Sequence, residues 1–485
     1  MRPTVEDGPR MNPTTPPQSR HADLDVAGRI EVRGIDYVPD DERHGKPREL
    51  FWIWLSANVT YLYFTLGGFV LLAGLSLWQS VAVVIIGNLY WFGVGALAVS
   101  GPSSGTPSVV VTRAMFGIRG NRPLSAGIGW LVAIVYEFIN LALGALAGFA
   151  LAERLGLGDS WPVRAAILVI VAVVTFAISI YGHATIAKLS PYFSAILAVI
   201  MAVLGGFVVA HAQFDYQPAQ PLDTAGSWVA VALSVALIAG VPLSWATGAD
   251  YARYLPRTTS QRKVLVYTAL GGFIPAVVLA VLGILAGTAV DMEDAQTNLA
   301  QIVPGWFYPV FLLVIVLSSI TNNVLTAYSS GLCLQALGVK MSRARTVFID
   351  GALSTGLAAY ALFVSDFLDS LSRTIELSVA VLAPSMALYV TDIVLRRNDY
   401  DGVALNDERA GSRYWYRGGW NVAGTVALAA GVLACVLFVH TSTFSGPLAN
   451  ALGGADLSFL VGPLVTVIVY WALFARQRDA GAEQS

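Results

Sequence analysis

The chain has 485 residues, of which 56% are apolar and 12% charged, with a formal net charge of −2. Soluble proteins carry about 25% charged residues, so an ordinary soluble enzyme is excluded, and no basic face points to a nucleic acid as partner. The two cysteines, Cys333 and Cys435, both lie in apolar runs, which argues against a disulfide framework.

Residues 1–50 are polar and proline-rich (Pro13, Pro16, Pro17) with no apolar core behind the positive charges. They do not form a secretory signal, and their composition predicts a disordered cytoplasmic tail. From Phe51 onward, apolar stretches of about 20 residues recur, each long enough as a helix to cross about 30 Å of hydrocarbon. Charge and turn clusters divide them into twelve predicted spans: 51–76, 80–100, 124–151, 164–181, 188–211, 228–249, 264–289, 306–337, 346–364, 370–395, 420–441 and 456–475. A short cytoplasmic tail, 476–485, closes the chain. With the N-terminus inside, the cytoplasmic junctions carry most of the Lys and Arg, among them Arg113, Arg119, Arg253, Arg257, Arg262, Lys263, Arg343, Arg345, Arg396 and Arg397. The opposite junctions carry Arg154 and Arg164, with Arg373 at a helix start, and are acidic at Asp215, Asp223, Asp291, Glu293 and Asp294. That asymmetry follows the positive-inside rule and predicts a multi-pass protein of the plasma (inner) membrane with both termini cytoplasmic.

Two spans are interrupted. The first carries Ser56-Ala57-Asn58-Val59-Thr60, and the sixth carries Gly240-Val241-Pro242 followed by Ser244. Proline lacks an N–H and frees the carbonyl four residues back. Unpaired backbone at membrane depth is tolerated only against protein or a wet cavity. The interruptions lie five spans apart, as in two inverted five-helix repeats; an ordinary proline kink fits the same residues, and the pattern alone leaves both readings open.

Three segments resemble the purine–cytosine permease branch of the nucleobase–cation symporter family. They are Gly101-Pro-Ser-Ser-Gly-Thr-Pro-Ser-Val-Val-Val-Thr-Arg-Ala-Met-Phe-Gly-Ile-Arg-Gly120, Ala249-Asp-Tyr-Ala-Arg-Tyr-Leu-Pro256, and Ser318-Ser-Ile-Thr-Asn-Asn-Val-Leu-Thr-Ala-Tyr328. The likeness runs from about Gly34 to Arg397. It implies an all-α integral membrane fold of the leucine-transporter type: repeats over 51–211 and 228–395, and two peripheral helices over 420–475. It also implies uptake of a small heterocycle, such as a nucleobase, driven by a Na⁺ or H⁺ gradient, without an organic cofactor or an obligate protein partner.

Polar side chains inside apolar spans are costly and mark candidate sites. Tyr136 and Asn140, four apart, share one helix face and match the family's aromatic–amide pair, the ring to stack on a flat substrate and the amide to bond its edge. Glu137 contacts substrate, takes a coupling proton, or pairs with another helix. Gly144 and Gly148 form a small-residue pair for close helix packing. Carried over from the family, Thr321 supplies a hydroxyl and Leu317 a carbonyl to a Na⁺ ion, and Asn323 and Thr326 face the substrate. Ile320 stands where Na⁺-coupled members keep a second hydroxyl, so a shifted register through Ser318 and Ser319, or proton coupling through Glu137, are the alternatives. Gly240 and Val241 sit where the family brings backbone onto the substrate. Val241 replaces a ring there, so Trp245 or Phe273 is recruited or one stacking face is aliphatic. Asn58 is expected to line the cation or substrate site. Asp250 and Arg253, three apart, are expected to form an interfacial ion pair, as are Arg373 and Glu376, with Arg113 at headgroup level.

Other function classes find no residues. His21, His44, His183, His211 and His440 have no metal-ligand spacing for a membrane enzyme, no repeated pore loop or charged ring suggests a channel, and no Gly-Lys-Ser/Thr loop suggests an ATP-driven pump.

Overall fold

The structure, a computed structural model, describes residues 25–482 except 219, 365, 366, 442 and 443, and for 367–378 and 478–482 the backbone alone. The disorder expected of 1–24 and the pairing expected of Arg373 with Glu376 lie outside the described residues. Among the described residues the regular structure is helical throughout. The chain runs through α1 (Pro47–Asn58), α2 (Tyr61–Leu72), α3 (Leu77–Ser104), α4 (Ile128–Arg154), α5 (Trp161–Tyr181), α6 (His183–His211), α7 (Thr224–Leu243) and α8 (Gly248–Ala252). It continues through α9 (Gln261–Gly287), α10 (Tyr308–Ala336), α11 (Arg343–Phe363), α12 (Phe367–Leu395), α13 (Val422–Phe438) and α14 (Ser458–Ala482). Among the described residues nine helices are long and apolar enough to cross a membrane, and α1 with α2 makes a tenth, bent by 61°. Val379–Leu395 and Val422–Phe438 are shorter apolar helices, standing where the tenth and eleventh spans are predicted. The last helix reaches Ala482, so the expected tail at 476–485 is helical over most of its length.

Both predicted interruptions break their helices. Asn58 ends α1, and Thr60 starts α2, its hydroxyl accepting the Leu62 N–H at 3.4 Å. In the sixth span the break falls after Pro242: α7 ends at Leu243 and α8 resumes at Gly248. α10 is the central element, with 78% of its most apolar window buried, against 33% for α5 and α6. It packs most extensively on α4 and also meets α1, α5 and α11, while α9 packs on α1, α2 and α3. The closest crossings use glycine. A Cβ at Gly283 would lie 1.8 Å from the Phe64 carbonyl oxygen and one at Gly67 would lie 1.9 Å from that of Ala280. Gly144 and Gly148 abut Ser319 and Ile167, as the small-residue pair predicts.

Residues 25–50 depart from the expected tail, because they are packed against one end of the bundle. Glu31 is 6% exposed and lies among two guanidiniums: Arg253 Nη2 donates at 2.9 Å and Arg343 Nε approaches to 3.5 Å. The Tyr328 hydroxyl (3.0 Å), the His183 N–H (2.9 Å) and the Tyr254 hydroxyl also donate to it. Gly182, at φ +88°, makes room for this carboxylate, since a Cβ there would sit 2.2 Å from Glu31 Oε2. Asp25 meets His183 Nδ1 at 2.6 Å. Burial opposes its ionisation, yet the imidazole and the Ala184 N–H bring its carboxyl below the usual carboxylate range. Arg43 is tied to the carbonyls of Val38 (2.9 Å) and Pro102 (2.7 Å). A polar composition therefore reflects ion pairing here: the acids of the segment meet bases held by the bundle. Arg253 is drawn to Glu31 and away from the expected partnership with Asp250. Arg113 likewise is buried, bonding the Leu405 carbonyl (2.9 Å) and Glu408 (2.7 Å).

Breaking a buried pair by neutralising one member costs about 3–5 kcal/mol, because the other charge is left uncompensated. Glu31→Gln should therefore lower the melting temperature of the detergent-purified protein clearly, whereas an unchanged melting curve would remove this segment from the folded unit.

Candidate functional site

A cavity of about 110 Å³ lies between the two interrupted spans, enclosed by α4, α10 and α12. Helical periodicity decides which residues reach it. On α4 the lining residues are Ile128, Gly129, Val132, Ala133, Tyr136, Ile139 and Asn140, and on α10 they are Asn322, Thr326, Ser329 and Cys333, each set on one face of its helix. The sixth span contributes Val241, Ser244, Trp245, Ala246, Thr247 and Asp250. α12 contributes Leu382, Ser385 and Tyr389, and the segment after α3 contributes Ser108, Val109 and Thr112.

Three groups tie this wall to the broken first span. Asn140 Nδ2 donates to its own turn at Tyr136 O (2.9 Å) and across to Asn322 Oδ1 (2.9 Å). Asn322 Nδ2 donates in turn to the carbonyl of Ala57 at 2.8 Å. The freed backbone at the end of α1 is thus satisfied through a side-chain relay that begins at the cavity. Such buried amide bonds hold position because each unmade one costs the desolvation of both groups.

Of the expected substrate contacts, Tyr136, Asn140, Val241, Trp245 and Thr326 line the cavity. The Trp245 indole also packs edge-on against Trp54, with centroids 5.3 Å apart. Phe273, the other candidate ring, lies outside the wall against Phe92 at 5.8 Å. Glu137, Gly240 and Asn323 do not line it. Asn323 is fully buried and its Nδ2 donates to the backbone oxygen of Glu137 at 3.1 Å, one helix step round from the cavity face. Gly240 is buried in α7, its carbonyl accepting the Ser244 N–H at 3.2 Å. Glu137 points towards α10 and α11, where Asp350, Ser330 and Ser354 are its polar neighbours. Asp350 accepts from Trp130 Nε1 (2.8 Å) and Ser330 Oγ (2.9 Å).

The expected cation residues occupy a different face of α10. Ser318 Oγ and Thr321 Oγ1 donate to Ile315 O and Ser318 O, both at 3.0 Å. Thr321 borders a small recess shared with Ser56 of α1 and Ser190 of α6. Leu317 is half-buried one turn away and lines neither space. Asn58 is fully buried at the helix break, where Nδ2 donates to Trp54 O (2.8 Å) and Oδ1 accepts from the Tyr63 hydroxyl (3.2 Å); it braces the break and does not reach the cavity.

Most of the lining residues were not among the expected contacts, and two of these, Asn322 and Asp250, carry strong hydrogen-bonding groups. Asn322 lies four residues before Thr326 and therefore on its face, a relation that helical spacing alone discloses. Asp250 accepts the Ser108 N–H at 2.7 Å and opens to the cavity, with Arg253 turned to Glu31. Nothing in the local spacing of Asp250 and Arg253 signals that separation.

Likeness to known proteins supports the same architecture. The chain is 28% identical over 470 residues to the putative purine-cytosine permease YxlA of Bacillus subtilis strain 168, covering 92% of this chain and 96% of that one. It is 25% identical to the purine-cytosine permease FCY22 of Saccharomyces cerevisiae, covering 92% and 86%. It superposes with a TM-score of 0.71, at 16% identity and over 90% and 93% of the two chains, on MHP1, a nucleobase-cation-symport-1 family transporter held closed with bromovinylhydantoin bound. The fold is accordingly of the leucine-transporter type, as the interrupted first and sixth spans imply. Residues 37–462, nearly all of the helices that build the cavity, match the family described as permeases for cytosine/purines, uracil, thiamine and allantoin, and the chain belongs to that family.

Proposed function

We propose that the protein is a secondary active transporter that imports a nucleobase or a closely related small heterocycle by symport with Na⁺ or H⁺. The observation that carries this reading is one enclosed space holding an aromatic ring, Tyr136, beside the amide pair Asn140 and Asn322. A flat heterocycle needs a π-face to stack on and in-plane donors and acceptors at its edge. The amide relay from Asn322 to Ala57 gives occupancy of the cavity a mechanical route to the broken first span. The purine-cytosine permeases YxlA and FCY22 support the substrate class.

In this reading residues 51–211 and 228–395 are the two repeats, each with one interrupted span, and 420–475 are peripheral. The Lys and Arg asymmetry supports an inner-membrane position with both termini cytoplasmic. Energy comes from the ion gradient alone. Proteoliposomes containing only buffer should therefore concentrate radiolabelled nucleobase under an imposed Na⁺ or H⁺ gradient. Equal uptake with both gradients collapsed would identify a facilitator.

Tyr136→Ala, Asn140→Ala and Asn322→Ala should each weaken binding by roughly 1–3 kcal/mol, about 5- to 150-fold, for a lost stacking ring or buried amide contact. Ligand-induced thermal stabilisation reads this directly, and wild-type affinity in all three would remove the cavity from the transport route.

The ion is decided by Thr321 and Glu137 together. With Na⁺ as the coupling ion, Thr321→Ala should abolish Na⁺ stimulation while Glu137→Gln retains it. With H⁺, Glu137→Gln should lose concentrative uptake yet keep exchange, because an amide cannot release a proton, and Thr321→Ala should matter little. Full gradient-driven uptake by the double variant would reject both sites.

A further inference from the structure

We propose that Asp250 is a substrate-reading residue that selects heterocycles presenting an exocyclic amino group over those presenting a carbonyl oxygen at the same ring position. This rests on the nucleobase reading above and deepens it, since it names which bases the cavity prefers.

The cavity has two polar ends. At one, Asn140 and Asn322 are bonded to each other. At the other stand Asp250, Thr247 and Ser329, with Ser108 from the segment after α3. Asn322 and Ser329 lie seven residues apart on one face of α10, ~10 Å along the axis. The Tyr136 ring belongs to the wall between them. A base stacked there with its long axis along the cavity presents one edge to the amides and the other to Asp250.

The chemistry of that second edge is set by three facts. Asp250 is 2% exposed, so its interactions with a bound group are not screened by bulk water. Oδ1 is taken by the Ser108 N–H at 2.7 Å, and the carboxylate opens to the cavity beside the Ser329 hydroxyl. The nearest base in sequence, Arg253, is paired with Glu31 at 2.9 Å and is not spent on Asp250. As a carboxylate the group accepts at both oxygens and has no proton to donate. It gains from an N–H and repels a carbonyl lone pair. Thr247 Oγ1 is buried on the same wall without a hydrogen-bond partner among the described residues, and it can donate to or accept from the adjoining ring atom. Ser108 is itself held against α8, because its Oγ accepts the Ala249 N–H at 3.0 Å, and this fixes the N–H that the carboxylate accepts. The acceptor is thus pre-oriented, the condition under which a polar site discriminates by more than an apolar one.

The test is binding of cytosine, uracil, adenine and hypoxanthine to the purified full-length protein by thermal shift and isothermal titration, with wild type and Asp250→Asn. Wild type should bind the amino member of each pair, cytosine or adenine, at least tenfold more tightly than its oxo counterpart, as expected for a hydrogen bond to a charged group. Asp250→Asn keeps an oxygen for the Ser108 N–H but adds a donor, so amino bases should lose ten- to hundredfold while oxo bases change less than threefold. The wild-type preference needs no variant to fold and stands as a separate arm. A wild type that favours uracil or hypoxanthine, or an Asp250→Asn that weakens both members of a pair equally, overturns the assignment and leaves the nucleobase reading intact. A wild type that binds none of the four overturns both.

Discussion

In hydrocarbon an unpaired backbone carbonyl has no solvent to turn to, so a helix that stops at membrane depth must be met by protein. The two interrupted spans are built around that constraint. At the end of α1, Asn58 bonds back to Trp54 and forward to Tyr63, and Asn322 reaches across from α10 to the carbonyl of Ala57. At the end of α7, the chain closes on itself through the N–H groups of Ser244 and Trp245. The polar side chains that look excessive for helix packing are the ones that make the breaks tolerable. The space between the breaks becomes the cavity because it is where the backbone has left its helix.

The same logic governs the charges at one end of the bundle. A guanidinium buried without a counter-ion is worse than no charge at all. Arg253 and Arg343, both essentially without exposed surface, share the carboxylate of Glu31. That acid comes from the segment before α1, so the docked segment supplies the counter-ion that both guanidiniums need. Asp250 is left free of Arg253 as a consequence. Asp250, within α8, and Arg253, at its C-cap, thus serve different partners although they stand three residues apart.

Hydropathy made the spans legible, because a stretch of apolar residues and its flanking charges carry the information needed. The breaks at Asn58–Thr60 and after Pro242 were legible too, since proline and clustered polar groups act locally. Facing was less so. Asn322 and Asn323 differ by 100° round α10, and only the register with Thr326 and with α4 distinguishes a lining residue from one bonded to the Glu137 backbone. Least legible were long-range ion pairs. Residues 25–50 have the composition of a disordered segment, and their order depends on bases more than a hundred residues away, which no window of sequence contains.

The geometry also separates the two candidate ion sites by what each is able to couple. An ion drives transport only if its binding energy differs between two arrangements of the protein. Glu137 and Asp350 lie where α4, α10 and α11 pack on one another, and α4 on α10 is the most extensive helix contact among the described residues. Protonation there changes the energy of a unit that stays together, unless those helices separate. Thr321 instead faces Ser56 of the broken first span, across the junction between α10 and α1. The Asn322 bond to Ala57 crosses the same junction from the cavity side. A cation and a substrate that both act on the end of α1 would each favour the arrangement the other needs, and that shared element supplies their coupling without any direct contact between them. On this ground the recess at Thr321 and Ser56 is the stronger proposal for the coupling ion, and the carboxyl pair at Glu137 and Asp350 the stronger proposal for a proton held in place as structure.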